Sequence, residues 1–189
     1  DTGFDYTHPT FRDLTGSVVR ITRAWEQGWD GGTPPAAFGY GSEFTTAEAI
    51  IATQADNGTG AHGSHVAGIA GGSGLGSNGL FMGIAPNAEL VLVSMGDQAS
   101  AIPDAVKYIF DYAASVGRPA VVNMSLGTHI GPHDGTSLHD KAFDGLAGPG
   151  RILVGAAGNE GETPLHLGHT FLSAAPDTIW RNEDVSKLP

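Results

Sequence analysis

The chain has 189 residues, of which 40% are hydrophobic and 15% are charged, so it can form one globular domain with a sizeable core. Its net charge of −11 argues against nucleic acid or an anionic membrane as a partner, because both require clusters of Lys and Arg. The absence of cysteine excludes disulfides and thiol chemistry, no apolar run is long enough for a membrane span, and no signal-peptide pattern opens the sequence.

The first third of the chain contains many turn residues and few strand signals. Residues 1–5 form a turn-rich opening, and residues 18–22 have the β-branched character of a strand. Residues 25–56 are rich in Gly, Pro and Thr, which predicts a surface insertion.

A helix is predicted to begin near His62. Val66 and Ile69 follow at helical spacing and predict an apolar face directed at a core. Gly63 and Gly68 would let another element lie close to this helix, although each glycine costs about 1 kcal/mol of helix propensity. An exposed imidazole in the first turn of such a helix is a candidate general base.

The second half of the chain alternates strand and helix signals. The predicted strands are residues 88–94, 120–124 and 152–157, and the predicted helices are residues 102–113 and 138–146. This order indicates an α/β fold with a parallel sheet covered by helices. In such folds functional residues lie where strands end, which directs attention to residues 125–127 and 158–161.

Four motifs then occur in a fixed order. They are DTGFDYTHPTF at residues 1–11, HGSHVAGIAGG at 62–72, NMSLG at 123–127 and GAAGNEG at 155–161. In this order they resemble the Asp motif, the HGTHVAG motif, the substrate-binding strand and the oxyanion Asn of the subtilisin-like serine peptidases (subtilases, peptidase family S8). Each motif alone is weak, but the ordered set is specific, and the likeness covers most of residues 1–162 except 25–56. The resemblance implies a three-layer α/β fold, with a mostly parallel sheet and helices on both faces.

The resemblance also implies a role for individual residues. Asp1 would orient the imidazole of His62, His62 would take the proton of a nucleophile, and Asn159 would donate a hydrogen bond to the oxyanion. The second histidine of the motif, His65, would be structural. The pocket for the residue before the scissile bond would be flanked by Ser125, Leu126, Gly127, Ala156, Ala157 and Gly158.

The chain departs from the family in one large respect. The nucleophile motif Gly-Thr-Ser-Met-Ala should follow the oxyanion Asn, but only Ser173 and Ser186 follow Asn159. The sequence Gly-Thr-Ser does end at Ser137, where Asp140 three residues later predicts a helix-capping serine instead. The strand that should deliver Asp1 is missing too. We therefore expect an incomplete catalytic domain at residues 1–162 and the start of an insertion or linker at 163–189.

Two functions follow as hypotheses. In the first, the chain supplies the Asp, His and Asn of a secreted, extracellular or periplasmic serine endopeptidase and is inactive alone, so that its partners are peptide substrates and the remaining part of the same catalytic domain. In the alternative, it is a non-catalytic subtilase-like module that binds peptides or serves as a scaffold. No metal ligand set is identifiable in the sequence, although the family resemblance implies that calcium could bind.

Overall fold

The computed structural model describes residues 1–129 and 131–162, which contain five strands and four α-helices. The strands are β1 (Ile21–Glu26), β2 (Ser42–Phe44), β3 (Leu90–Ser94), β4 (Ala120–Met124) and β5 (Arg151–Gly155). The helices are α1 (Ala47–Thr53), α2 (His62–Gly71), α3 (Ala101–Ser115) and α4 (Leu138–Leu146), and short 3-10 turns span Pro9–Phe11 and Leu75–Ser77. The expected insertion or linker at 163–189, with Ser173 and Ser186, lies outside the described residues.

The strands confirm the predicted α/β class. Strand β1 pairs with β3 in parallel and with β2 antiparallel, and β4 pairs with β5 in parallel. Helix α4 connects the parallel neighbours β4 and β5, as such a pair requires, and helix α3 connects β3 to β4. Within the described residues the strands form two separate sheets, in the orders β2-β1-β3 and β4-β5.

A cavity of about 650 Å³ lies between β3 and β4. Apolar side chains of β3, β4 and α3 line much of it, among them Val91, Val122 and Ile109. Val66 of α2 also lines this cavity, whereas Ile69 is 58% exposed. The prediction that Ile69 faces a core is therefore wrong: the buried residues of α2 are Gly63 and Gly71, and Ala67 is the side chain of α2 that packs against the core.

The segment 25–56 does not lie only on the surface. Trp25 and Ile50 are fully buried, and Trp25 packs against Phe38, Tyr40 and Tyr108 with ring centroids 4.9 to 5.1 Å apart. These contacts correct the expected surface location: the Gly- and Pro-rich composition reflects turns that fold aromatic side chains back onto β1. The strand predicted at 18–22 is likewise displaced, since β1 runs from Ile21 to Glu26.

No helix in the described part of the chain is both long and apolar enough to cross a membrane.

Ser137 begins helix α4 with a reciprocal pair of hydrogen bonds. Its Oγ accepts from the backbone N–H of Asp140 at 3.1 Å, and the Asp140 carboxylate accepts from the Ser137 backbone N–H at 3.3 Å and from its hydroxyl at 2.7 Å. This is the capping box that the sequence predicts. The hydroxyl of Ser137 is thereby engaged in completing a helix.

We expect Ser137→Ala to lower the free energy of unfolding by about 1 kcal/mol, because the N–H of Asp140 loses its acceptor. Chemical denaturation measures this change. The matched control is Ser115→Ala, at the C-terminal end of α3. The Ser115 hydroxyl donates to the carbonyl of Tyr112, which also accepts from the N–H of Val116 and so keeps a partner in the variant. A change of less than about 0.5 kcal/mol is expected for this control, and equal effects of the two variants would contradict the capping role.

Candidate active site

The first turn of α2 is completed by backbone from the start of the chain. The N-cap residue, Ala61, has no side chain that could accept from the helix N–H groups. Instead, the N–H of Gly63 donates to the carbonyl of Thr2 at 2.7 Å, and the N–H of Ser64 donates to the carbonyl of Gly3 at 3.0 Å. The segment that follows Asp1 is therefore bound to the helix that begins with His62.

Two glycines allow this close approach. A Cβ on Gly63 would lie 2.8 Å from the carbonyl oxygen of Thr2 and from the ring of Phe4. Gly3 has φ +82°, and a Cβ there would lie 3.0 Å from the backbone of Gly60. Any larger residue at either position would push the segment away from α2.

Asp1 lies beside the carboxyl end of β3. Its carbonyl accepts from the N–H of Met95 at 2.8 Å, and its amino nitrogen is 3.4 Å from the carbonyl oxygen of Val93. This is the hydrogen-bond pattern of a residue paired in parallel with Ser94. Asp1 thus lies at the carboxyl end of parallel strands, where the functional side chains of α/β folds usually gather.

The structure brings Asp1 and His62 into direct contact. Nδ1 of His62 lies 2.8 and 2.9 Å from the two carboxylate oxygens of Asp1. The Asp1 side chain is 15% exposed and that of His62 is 61% exposed, so the carboxylate is sheltered and the ring is open on one side. A neutral imidazole that donates its Nδ1 proton to Asp1 has its acceptor lone pair on Nε2.

The expected substrate-binding residues lie on two neighbouring loops. Met124 at the end of β4 pairs with Gly155 at the end of β5, and the N–H of Ala156 donates to the carbonyl of Met124 at 3.1 Å. The two loops therefore leave the sheet side by side, and they carry Ser125, Leu126, Gly127, Ala156, Ala157 and Gly158. Leu126 lines the same cavity as Asp1.

Asn159 is exposed in the loop that follows β5. Its backbone N–H donates to the Glu160 carboxylate at 2.8 Å, and that carboxylate lies 3.2 Å from Nε2 of His129. The side chain of Asn159 forms no hydrogen bond with another described residue. The sequence motifs did not indicate that Glu160 and His129 connect the two loops.

Two buried carboxyl groups beneath the Asp1 segment also escaped the sequence analysis. Asp56 is 8% exposed and accepts four hydrogen bonds, whereas Glu26 is 2% exposed and accepts one, from the side chain of Asn57 at 3.1 Å. The other oxygen of Glu26 and the hydroxyl of Tyr6 have no hydrogen-bond partner among the described residues. Burial, together with the charge of Asp56, raises the pKa of Glu26 to about 7.

Within residues 1–129 and 131–162, no group of three or more His, Asp or Glu side chains is placed to hold a metal ion. Calcium binding stays a prediction from the family resemblance, and no chemistry is assigned to a metal here.

A sequence model of the subtilase family (Peptidase_S8) matches residues 1–179. The chain belongs to the subtilase family. Among relatives of this subtilase, a thermophilic serine proteinase from Bacillus sp. (strain AK1) is 31% identical over 168 residues, which are 86% of this chain and 32% of that protein. The minor extracellular protease Epr of Bacillus subtilis (strain 168) is 32% identical over 171 residues, or 82% of this chain and 24% of that protein.

A solved structure agrees with this assignment. The Clostridium perfringens CspB protease superimposes with a TM-score of 0.67 at 28% sequence identity, over 85% of this subtilase chain and 35% of that chain. The chain thus spans about a quarter to a third of the length of these relatives.

The raised pKa of Glu26 predicts how the stability of this subtilase chain depends on pH. An ordinary glutamate in the unfolded chain loses its proton near pH 4.3, whereas folded Glu26 keeps it until about pH 7. Its contribution to stability is therefore fully present below about pH 4 and is lost as the pH rises through 7. Glu26→Gln should remove this loss, so the stability of the variant relative to the parent should rise by about 2 kcal/mol from pH 5 to pH 8.

Urea denaturation at the two pH values measures that change. Asp13→Asn is the control, because hydrogen bonds from the backbone of Val18 and the side chain of Thr15 lower the pKa of Asp13, which stays ionised across this range. Parallel stability curves for Glu26→Gln and the parent would show that Glu26 does not titrate in this range.

Proposed function

We propose that this chain is the Asp-, His- and Asn-bearing part of a secreted subtilisin-like serine endopeptidase. The observation that carries the proposal is the contact of both Asp1 oxygens with Nδ1 of His62, at 2.8 and 2.9 Å. Similarity to an extracellular protease of Bacillus subtilis supports secretion. A scaffold or peptide-binding module would have no use for an oriented imidazole.

His62 acts as the general base in this proposal. With the Nδ1 proton held by Asp1, Nε2 takes the proton of a nucleophilic hydroxyl as that hydroxyl attacks the carbonyl carbon of the substrate. The carboxylate of Asp1 fixes the tautomer and stabilises the imidazolium that forms. Nε2 then gives the proton to the leaving amine. The large exposure of the His62 ring leaves room for the nucleophile and the substrate.

The β4–β5 loops bind the substrate. Backbone groups of residues 125–127 pair with an extended peptide as an added strand, and residues 156–158 form the opposite wall of the pocket. The side-chain amide of Asn159 donates to the oxygen that becomes negative in the tetrahedral intermediate. Its freedom from other described partners is consistent with an amide that is available for this bond.

The nucleophilic serine comes from sequence outside these 189 residues in our proposal. Ser137, the one serine in a Gly-Thr-Ser sequence, caps α4 through its hydroxyl and is not assigned to catalysis. The partners are therefore a peptide or protein substrate and the remaining part of the same catalytic domain. Residues 1–162 are the catalytic part, and residues 163–189 begin an insertion or linker.

In the whole gene product, His62→Ala should lower kcat for peptide hydrolysis by about a thousandfold, because the nucleophile loses its base. His65→Ala is the matched control: His65 is exposed on the same helix, and its kcat should stay within about twofold of the parent because surface changes have small effects. Initial rates on a fluorogenic peptide measure both. Unchanged turnover of His62→Ala would reject the assigned base.

The 189-residue chain alone should not react with a fluorophosphonate probe, which labels activated serines. The reason is that no serine of the chain is assigned as the nucleophile whose proton His62 would take. Mass spectrometry after labelling checks this, with the whole gene product as the positive control. Stoichiometric labelling of the short chain at a single serine would place the nucleophile within it and overturn this part of the proposal.

A further inference from the structure

The carboxylate of Asp56 joins three parts of the chain beneath the Asp1–His62 pair. Its two oxygens accept from the backbone N–H of Gly3 at 2.9 Å and of Phe4 at 3.0 Å, in the segment that follows Asp1. One of these oxygens also accepts from the hydroxyl of Ser94, at the end of β3, at 2.6 Å. The other accepts from the N–H of Gly58 at 3.2 Å, in the loop that leads to α2.

This arrangement requires a carboxylate. Each oxygen of Asp56 has two donors, and both oxygens must therefore be acceptors. An asparagine would present its NH₂ group where one of these acceptors is needed. On one side the N–H of Gly3 would lose its acceptor while the hydroxyl of Ser94 turned to accept from the amide, and on the other side the N–H groups of Phe4 and Gly58 would both lose theirs. Hydrogen bonds to an ionised acceptor are also about twice as strong as neutral ones. The fourfold hydrogen bonding explains how a carboxylate that is 8% exposed can be tolerated.

The Asp56 bonds hold the segment from one side, and α2 holds it from the other. The N–H groups of Gly3 and Phe4 point to Asp56, whereas the carbonyls of Thr2 and Gly3 accept from the first turn of α2. The Asp1 carboxylate and the His62 ring are attached to this same clamped segment and helix. A loss of the bonds on the Asp56 side would let the segment rotate about its remaining contacts.

We propose that Asp56 is a positioning residue, which holds the Asp1 carboxylate within hydrogen-bond distance of Nδ1 of His62. Its importance for catalysis rests on the proposed function, but the positioning itself does not. Glu26, the second buried carboxyl nearby, has no such role, because it binds the Asn57 side chain and not the Asp1 segment.

The experiment measures the imidazole tautomer of His62 in the 189-residue chain by ¹⁵N NMR of the histidine rings at a pH where the ring is neutral. Loss of one histidine signal set in His62→Ala provides the assignment. In the parent, Asp1 should hold the ring in the Nδ1–H tautomer. In Asp56→Asn the ring should move towards the Nε2–H tautomer that a free imidazole of histidine prefers.

Asp13→Asn is the matched control. Asp13 accepts from two backbone N–H groups and one hydroxyl, as Asp56 does in part, but in a loop that does not contact Asp1. The His62 ring signals of Asp13→Asn should equal those of the parent. Thermal unfolding of both variants separates positioning from general loss of structure. An unchanged His62 tautomer in folded Asp56→Asn overturns the proposal.

Ser94→Ala gives a second reading if Asp56→Asn does not fold. It removes the shortest bond to Asp56 and leaves the charge in place, so a smaller shift in the same direction is expected, and no shift overturns the proposal.

In the whole gene product, Asp56→Asn should lower kcat by about 10²-fold with little change in KM, as expected for a misplaced catalytic group. A tautomer shift in a gene product without peptidase activity would refute the proposed function and leave the positioning role intact.

Discussion

The contact between Asp1 and His62 depends on how the first turn of α2 finds its hydrogen-bond partners. A helix begins with backbone N–H groups that have no acceptor inside the helix, and Ala61 provides none. The carbonyls of Thr2 and Gly3 serve as acceptors, so the bonds that complete α2 also fix the segment next to Asp1. An ion pair with an exposed imidazole contributes little stability by itself. The pair is therefore a consequence of helix capping by a distant part of the chain.

Two buried carboxyl groups near this segment differ in how fully they are hydrogen-bonded. Asp56 has four donors around its two oxygens, which compensate the burial of a charge. Glu26 has one donor and an oxygen with no described partner, and burial raises its pKa to about 7. A buried carboxyl group is thus fully hydrogen-bonded to its surroundings in the case of Asp56, whereas in the case of Glu26 it has a pKa near neutral pH.

Helix α3 packs against both sheets, and the residues of the candidate site are divided between these two sheets. Tyr108 packs with Trp25 against the sheet that carries Asp1, and Val106 packs with Val122 of β4, from which residues 125–127 continue. The cavity between β3 and β4 lies under this helix and is lined by both Asp1 and Leu126. The relative position of the Asp1–His62 pair and of residues 125–127 therefore depends on the packing of α3.

The amino-acid sequence by itself determined the local features: helices α3 and α4, the Ser137 capping box and the strands β4 and β5 follow from periodicity and short-range hydrogen bonding. The family motifs were recognised by their resemblance to those of the subtilases. The sequence also indicated Asp1 and His62 as candidate site residues, because each lies in a family motif. It could not indicate that Trp25 and Ile50 are buried, that Ile69 is exposed, or that Asp56 binds the Asp1 segment. Those outcomes depend on contacts between residues tens of positions apart, such as Phe4 with Asp56, and only the tertiary structure decides which distant donors meet a buried carboxylate.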